Sequence, residues 1–146
     1  MTRVDRLDIV QQVADRAERE RAERLAEAER NAIEAEQKLV ALERYRNEYE
    51  EQLATRGAAG VEVSGVREFH AFLARLGEAL VAQRQALGAA RATRDQMLDS
   101  WREAAQRAQV VQTLADRWQG EARRDEDRRD QRESDELAQR GSKNER

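Results

Sequence analysis

The chain has 146 residues, with 27 Lys or Arg against 30 Asp or Glu, a net charge of −3 and a charged fraction of 39%. Two residues each of Phe, Tyr and Trp provide too little large apolar volume for a compact globule, and the absence of Cys excludes disulfides and Cys-ligated metal. The lone histidine, His70, cannot form a histidine-based metal site, and the sequence contains no glycine-rich phosphate loop. We therefore predict a non-enzymatic chain without cofactor or metal.

The same composition bounds the cellular setting. The sequence contains no run of about 18 apolar residues, and its first thirty residues are rich in Asp and Glu. We expect a cytosolic protein without a targeting peptide or direct membrane insertion. Acids match bases along most of the chain, so a basic stripe for phosphates is missing and nucleic-acid binding is disfavoured.

The first predicted helix covers about residues 3–55. Its apolar residues recur at spacings of three and four, which is typical of a coiled-coil seam. The nine seam positions, eight of which are apolar, are Leu25, Ala28, Ala32, Ala35, Leu39, Leu42, Arg46, Tyr49 and Leu53. An earlier run has the same spacing in a shifted register, at Leu7, Val10, Ala14 and Ala17. The shift predicts a stutter near Arg21.

A cluster of glycines marks the break between the two helices, and it predicts a loop at about residues 57–65. Ser64 has the residue type and position of an N-cap for the second helix, with Glu68 in the first turn. A short extended stretch at residues 61–63 is the alternative, which we favour less than a loop.

The second predicted helix covers about residues 66–120, and its seam is more regular. Thirteen of its fifteen seam positions are apolar. The fifteen are Phe69, Leu73, Leu76, Leu80, Gln83, Leu87, Ala90, Arg94, Met97, Trp101, Ala104, Ala108, Val111, Ala115 and Trp118. Two such helices joined by a short loop predict an all-α, single-domain chain, an antiparallel coiled-coil hairpin over residues 1–146.

The two seams meet if the residue numbers of facing positions add up to 122. This register sets Leu53 opposite Phe69 and Leu7 opposite Ala115. It also sets Arg21 opposite Trp101, where the arginine stem can lie on the indole ring. A hairpin of this length would be a slender rod without a deep pocket.

The segment after the second seam, residues 121–146, is charged on every face and has Leu137 as its only large apolar residue. Ordering each residue costs about 1–2 kcal/mol, which burial within this chain cannot offset. We predict a frayed helical tail that becomes ordered in a partner, with a plain solvated tail as the alternative.

Two aromatic residues lie off the predicted seams. Tyr45 and Phe72 fall at nearly the same level of the hairpin, with Tyr49, Leu76 and Ala79 beside them. Exposed apolar surface on a charged chain tends to mark a contact site, so we predict a partner-binding patch here. The alternative is that supercoil drift turns Phe72 into the seam.

At these residues the sequence resembles the FliJ family, a small coiled-coil component of the bacterial flagellar protein-export apparatus. The resemblance covers nearly the whole length, and its most specific parts lie outside the seam. They are Tyr45-Arg46-Asn47-Glu48-Tyr49, Ala59-Gly60-Val61, residues 72–76, Ser100-Trp101-Arg102-Glu103, Gln106-Arg107, Gln112-Thr113-Leu114 and Leu137-Ala138-Gln139-Arg140.

The resemblance implies a stalk like that of rotary ATPases, which stands in the hexameric ring of the flagellar export ATPase. The helix ends, including the residues after Trp118, would enter the ring. The family also binds the export gate protein at the membrane and recycles flagellar export chaperones, which implies a cytoplasmic protein peripherally associated with the inner face of the cell membrane at the flagellar base.

The family's gate-binding positions correspond to eight residues of this chain, of which Lys38 and Gln83 differ from the usual family residues. The eight are Lys38, Leu42, Tyr45, Tyr49, Phe72, Leu76, Ala79 and Gln83. Two other interpretations stay open on the residues alone. One is the equivalent stalk of a virulence type III secretion system, and the other is a membrane-surface or scaffolding coiled coil that dimerises.

Overall fold

The computed structural model describes residues 1–58, 60 and 63–145. They form two helices, α1 (Arg3–Ala58) and α2 (Val63–Asn144), and this described part contains no strand. The predicted all-α class with two long packed helices is confirmed. The chain divides into two compact units, here called the terminal unit (Met1–Glu20 with Arg102–Arg146) and the central unit (Arg21–Trp101). Each unit contains a segment of α1 packed against a segment of α2.

Contacts inside each unit show that the two helices run antiparallel. In the terminal unit the Gln11 amide donates a hydrogen bond to the side-chain oxygen of Gln112. In the central unit the Gln83 amide donates to the main-chain oxygen of Ala35 at 2.9 Å. The residue numbers of the cross-helix pairs add up to values between 117 and 127, around the predicted 122. The predicted register is therefore confirmed.

The seam residues occupy heptad positions a and d. In this notation, g precedes each a and c precedes each d, so c and g lie on one flank of a helix, while b and e lie on the other. Every predicted seam residue of α2, from Phe69 to Trp118, is buried or half-buried. The same holds on α1 for the predicted positions from Leu25 to Leu53.

The two units fill their seams with different side chains. In the central unit Leu76, Leu80 and Leu87 are buried, and Leu80 is only 1% exposed. In the terminal unit the buried seam residues of α2 are all alanines: Ala104, Ala108 and Ala115. Alanine buries less apolar area than leucine, so the buried seam residues of α2 contribute more hydrophobic stabilisation in the central unit than in the terminal unit.

The predicted stutter near Arg21 is wrong, because Val10 does not lie in the seam. Val10 is exposed, and the seam side chain at this level is Gln11, which is half-buried. Counting on by threes and fours from Gln11 passes through Ala14 and Glu18 to Arg21 without a register shift. The Gln11–Gln112 hydrogen bond pairs the amide of this seam position with the facing helix.

Arg21 occupies its predicted level and forms a hydrogen bond that the sequence did not predict. One guanidinium nitrogen donates to the main-chain oxygen of Ser100 at 3.3 Å, next to Trp101 in the sequence. A half-buried guanidinium needs hydrogen-bond acceptors, and a helix carbonyl provides one.

The helix ends differ from the predicted loop of residues 57–65. α1 continues to Ala58 and α2 begins at Val63, so Gly57 and Gly65 are helical. Gly60 has a φ of 79°, in the left-handed region that favours glycine after a helix, and its N–H donates to the oxygen of Gly57 at 3.4 Å. α2 thus begins one residue before the predicted cap, Ser64, whose side chain lies outside the described residues. Positions 61 and 62 of the alternative extended stretch also lie outside them.

The start of α1 has a capping box. The Thr2 hydroxyl accepts a hydrogen bond from the Asp5 N–H at 3.2 Å, and the Asp5 carboxylate accepts one from the Thr2 N–H at 3.0 Å. This reciprocal pair satisfies N–H groups that the helix itself cannot pair.

The charged tail is part of α2. The second helix was predicted to cover about residues 66–120 and to extend into a frayed helical tail; α2 is continuous to Asn144, and the fraying stays a prediction. The side chains of residues 122–145 are all exposed, which agrees with the predicted lack of burial. Near-neighbour ion pairs such as Arg128–Asp125, at 3.6 Å, add a few tenths of a kcal/mol each, about what such pairs contribute on exposed helices.

Candidate functional site

The residues of the predicted partner-binding patch that lie outside the seam positions share one flank of the central unit. Lys38 and Tyr45 are one heptad apart on α1, and Phe72 and Ala79 are one heptad apart on α2. All four occupy position g, and g residues of antiparallel helices face the same side. The ring contact between Tyr45 and Phe72 shows that the two g rows meet across the helix pair.

Four aromatic rings pack together on this flank, and we call Tyr45, Tyr49, Phe69 and Phe72 the aromatic cluster. The Tyr49 ring stacks on that of Phe72 with their centroids 4.3 Å apart. Tyr45 lies 5.4 Å from Tyr49 and 6.1 Å from Phe72, in an edge-on arrangement with the latter. Tyr49 also lies 5.5 Å from Phe69. The three longer distances fall in the range of about 4.5–7 Å for favourable aromatic pairs, and the stacked Tyr49–Phe72 pair is slightly closer.

The cluster is both packed and accessible. Tyr45 is 47% exposed, whereas Tyr49, Phe69 and Phe72 are half-buried. Phe72 occupies position g, but it is half-buried like the seam residues Tyr49 and Phe69 and stacks on Tyr49. The packing holds the rings in place before any partner arrives, so a partner does not have to order them.

Charged side chains border a shallow groove beside the rings. Arg56, Glu68 and Arg75 line it together with Tyr49, Phe69 and Phe72. The Arg56 guanidinium lies 5.1 Å from the centroid of the Phe69 ring, within the range of a cation–π contact. Sequence reasoning placed Phe69 only in the seam and did not identify Arg56. The signal for Phe69 was its spacing of one helical turn from Phe72.

The remaining predicted gate-binding residues differ in accessibility. Leu76 is buried and Leu42 is half-buried, so they support the flank from the seam. Gln83 is half-buried and uses its amide to bond α1. Lys38 is exposed and pairs with Glu34 at 3.3 Å. Ala79 is exposed.

Other chemistry has little support in the described part of the chain. Among those residues, no group of three or more His, Asp or Glu side chains is placed to hold a metal ion. No helix among them has a stretch long and apolar enough to cross a membrane. Hydrogen bonds from Thr2 lower the pKa of the Asp5 carboxyl below its ordinary value, first that from the backbone N–H and then that from the hydroxyl.

The two packed helices define an all-helical coiled-coil protein with a packed aromatic cluster on one flank. The family model described as flagellar FliJ protein matches residues 3–146. Flagellar FliJ proteins of Escherichia coli (strain K12) and Salmonella typhi are each 34% identical over 136 residues, covering 93% of this chain and 92% of the relative. The chain therefore belongs to the FliJ family, and the resemblance found in the sequence is confirmed. No solved structure matches it.

Proposed function

We propose that this chain is the non-enzymatic stalk of the flagellar export apparatus, linking the hexameric export ATPase to the export gate protein and recycling export chaperones. Membership of the FliJ family makes it a flagellar export component. The family match also favours the flagellar system over a virulence secretion system. The observation that carries the finer proposal is the aromatic cluster, in which Tyr45 is 47% exposed and packs on other aromatic rings.

The gate contact is argued from the chemistry of the cluster. Tyr and Phe are enriched at protein interfaces because they bury a large area at a small entropic cost. Tyr45 offers both a ring face and a hydroxyl, and Phe72 lies against it. A partner segment that covers both rings would replace water on Tyr45, the most exposed aromatic side chain of the cluster.

The ATPase contact is assigned to the tail. Residues 122–144 form a helix whose side chains are all exposed, so this helix has no packing partner among the described residues. Charged residues of both signs cover it, and Leu137 is its one large apolar residue. Such a helix gains by lying inside a polar channel that satisfies its charges.

The proposal also covers location and chemistry. The chain would work on the cytoplasmic side, held at the inner face of the cell membrane through the gate protein and not by insertion of its own. It would make and break no covalent bond, and it would need no cofactor. Its part in transport would be to couple two partners through packed helices, which deform little.

The decisive variant is Tyr45→Ala, with Val40→Ala as a matched control. Tyr45 and Val40 are 47% and 48% exposed on the same helix, but Val40 occupies position b on the other flank. We expect Tyr45→Ala to weaken binding to the purified cytoplasmic region of the export gate about tenfold, roughly 1.4 kcal/mol, and to lower flagellar export. Both variants should retain the helical circular dichroism of the unaltered chain.

Unchanged gate binding in Tyr45→Ala, or an equal loss in Val40→Ala, would contradict the proposal. Phe72→Ala is a less selective probe, because its ring stacks on Tyr49 at 4.3 Å. Removing it should cost about 1–2 kcal/mol of stability in addition to any loss of binding.

A further inference from the structure

The terminal unit has an exposed apolar surface that the proposed function does not use. Val13 on α1 and Val110 on α2 are each 62% exposed, among the highest values for large apolar side chains in this protein. Both occupy position c, which lies on the same flank as g. Surface valines are common singly, but two at one level of a helix pair form a patch.

An ion pair identifies the flank on which this patch lies. Arg3 and Glu121 both occupy position g, and their side chains meet at 3.1 Å across the two helices. One heptad further into the unit, the g positions hold Val10, which is exposed, and Leu114, which is half-buried. Val10, Val13, Val110 and Leu114 therefore share one flank, and we call them the valine patch.

Charged residues lie at both ends of the valine patch, and the two ends carry opposite charge. Along α1 the c positions are Arg6, Val13 and Glu20, and along α2 they are Arg117, Val110 and Glu103. Successive members are seven residues, or about 10 Å, apart. Because the helices are antiparallel, the arginines of both rows lie at one end of the patch and the glutamates lie at the other.

These four charged side chains are available to a partner. All four are exposed, and within residues 1–58, 60 and 63–145 none of them forms an ion pair or a side-chain hydrogen bond. The b and e flank of the central unit differs, since its arginines are paired across the helices. Arg84 meets Glu43 and Arg91 meets Glu36, each at 3.6 Å.

We propose that the valine patch is a self-association surface, covered by a second copy of this chain in antiparallel orientation. A two-fold axis that crosses both helices at the level of Val13 sets Arg6 opposite Glu20 of the second copy and Val13 opposite its counterpart. The same axis sets Arg117 opposite Glu103 of the second copy. Each of these four charges then meets its opposite while the valines meet in the middle, so the two c rows are complementary to themselves.

The charge order selects this occupant and this orientation. In a parallel pairing, arginines would face arginines and glutamates would face glutamates. An anionic membrane would attract the arginine end of the patch but repel its glutamate end, whereas membrane-surface helices carry a uniformly basic polar face. The patch is smaller than the roughly 800 Å² per partner of stable interfaces, so the dimer is weak and forms only at high concentration. This inference does not depend on the proposed function.

The test is a charge swap in the full chain, measured by sedimentation equilibrium over a wide range of protein concentration. One variant combines Arg6→Glu with Arg117→Glu, and the other combines Glu20→Arg with Glu103→Arg. Each alone should dimerise at least about tenfold more weakly than the unaltered chain. An equimolar mixture should regain dimerisation, because an all-acidic row then faces an all-basic one.

A control variant separates the patch from net charge. Arg16→Glu with Arg19→Glu changes the charge as much as the first variant, but on positions f and b of α1. It should dimerise like the unaltered chain. Circular dichroism establishes that every variant keeps its helices.

Three results would overturn the inference. The first is a chain that stays monomeric at every concentration, and the second is a dimer that survives both swaps or is not regained in the mixture. The third is flotation of monomeric chain with phosphatidylcholine–phosphatidylserine vesicles that Val13→Ser with Val110→Ser abolishes, which would assign the patch to a lipid surface.

Discussion

Replacing Leu80 by alanine tests the packing of the central unit at its best-buried position. Leu80 is 1% exposed at a seam position of α2. The substitution removes about three methyl or methylene groups from the seam, worth about 2.4 kcal/mol at 0.8 kcal/mol each. The cavity left behind adds to this cost, so we expect a loss of about 3 kcal/mol, inside the range for buried leucines.

Val81→Ala is the matched control, because Val81 is the next residue and is 53% exposed. Its lost burial is small, and alanine has a higher helix propensity, so the net change should stay within about 0.5 kcal/mol of zero. Urea unfolding followed by circular dichroism at a helical wavelength measures both. A cost below about 1 kcal/mol for Leu80→Ala, or similar costs for the two, would refute the helix phase described above.

Two further predictions concern the start of α1. Thr2→Ala removes the acceptor of the Asp5 N–H and should speed amide exchange in the first turn about fivefold. Because the pKa of Asp5 is lowered below its ordinary 3.8, the cap is fully formed above that pH and should be lost as the pH falls through the lower folded-state pKa. Loss of the cap on raising the pH would contradict this account. In urea unfolding, Arg3→Gln should lower the free energy of unfolding by about 1 kcal/mol and Glu121→Gln by at most about 0.5 kcal/mol. The difference arises because the Arg3 guanidinium pairs with Glu121 and also lies 4.1 Å from the centroid of the Trp118 ring. High salt should remove only the contribution of the ion pair.

Much of the fold follows from the spacing of apolar residues. The seam of α2 alternates steps of four and three from Phe69 to Trp118, and each position is buried or half-buried. A long period of this kind sets the helix phase because every turn supports the same face. The register of the two helices also followed from this spacing, since the seams of two antiparallel helices match in few alignments.

Local ambiguity accounts for the error at the start of α1. From Leu7, a step of three reaches Val10 and a step of four reaches Gln11, and both are allowed by a coiled coil. Hydrophobicity favours Val10, but the seam contains Gln11, whose amide bonds Gln112 on the facing helix. Such a pairing depends on the partner helix and is invisible in the pattern of one segment.

The candidate site was predictable in part. Tyr45 and Phe72 were identified because they are large apolar residues off the seam at one level. Their mutual contact follows from the register. The role of Arg56 did not follow, because its position over Phe69 depends on where α1 ends, and glycines at 57 and 60 predicted an earlier break than the structure has. The continuity of α2 to Asn144 did not follow from the seam, because residues 121–146 have no apolar period, whereas near-neighbour ion pairs such as Arg128–Asp125 favour helix without burial.

The most direct test of the proposed function is a bridging experiment with three purified proteins. The cytoplasmic region of the export gate is immobilised, and retention of the export ATPase is measured with and without this chain. The account predicts that the ATPase is retained only when the chain is present. Tyr45→Ala should abolish retention of the ATPase because the variant no longer binds the gate. Truncation after Glu121 should also abolish retention of the ATPase, although the truncated chain still binds the gate. Retention of ATPase that is equal with and without the chain would contradict the claim that the chain links the two.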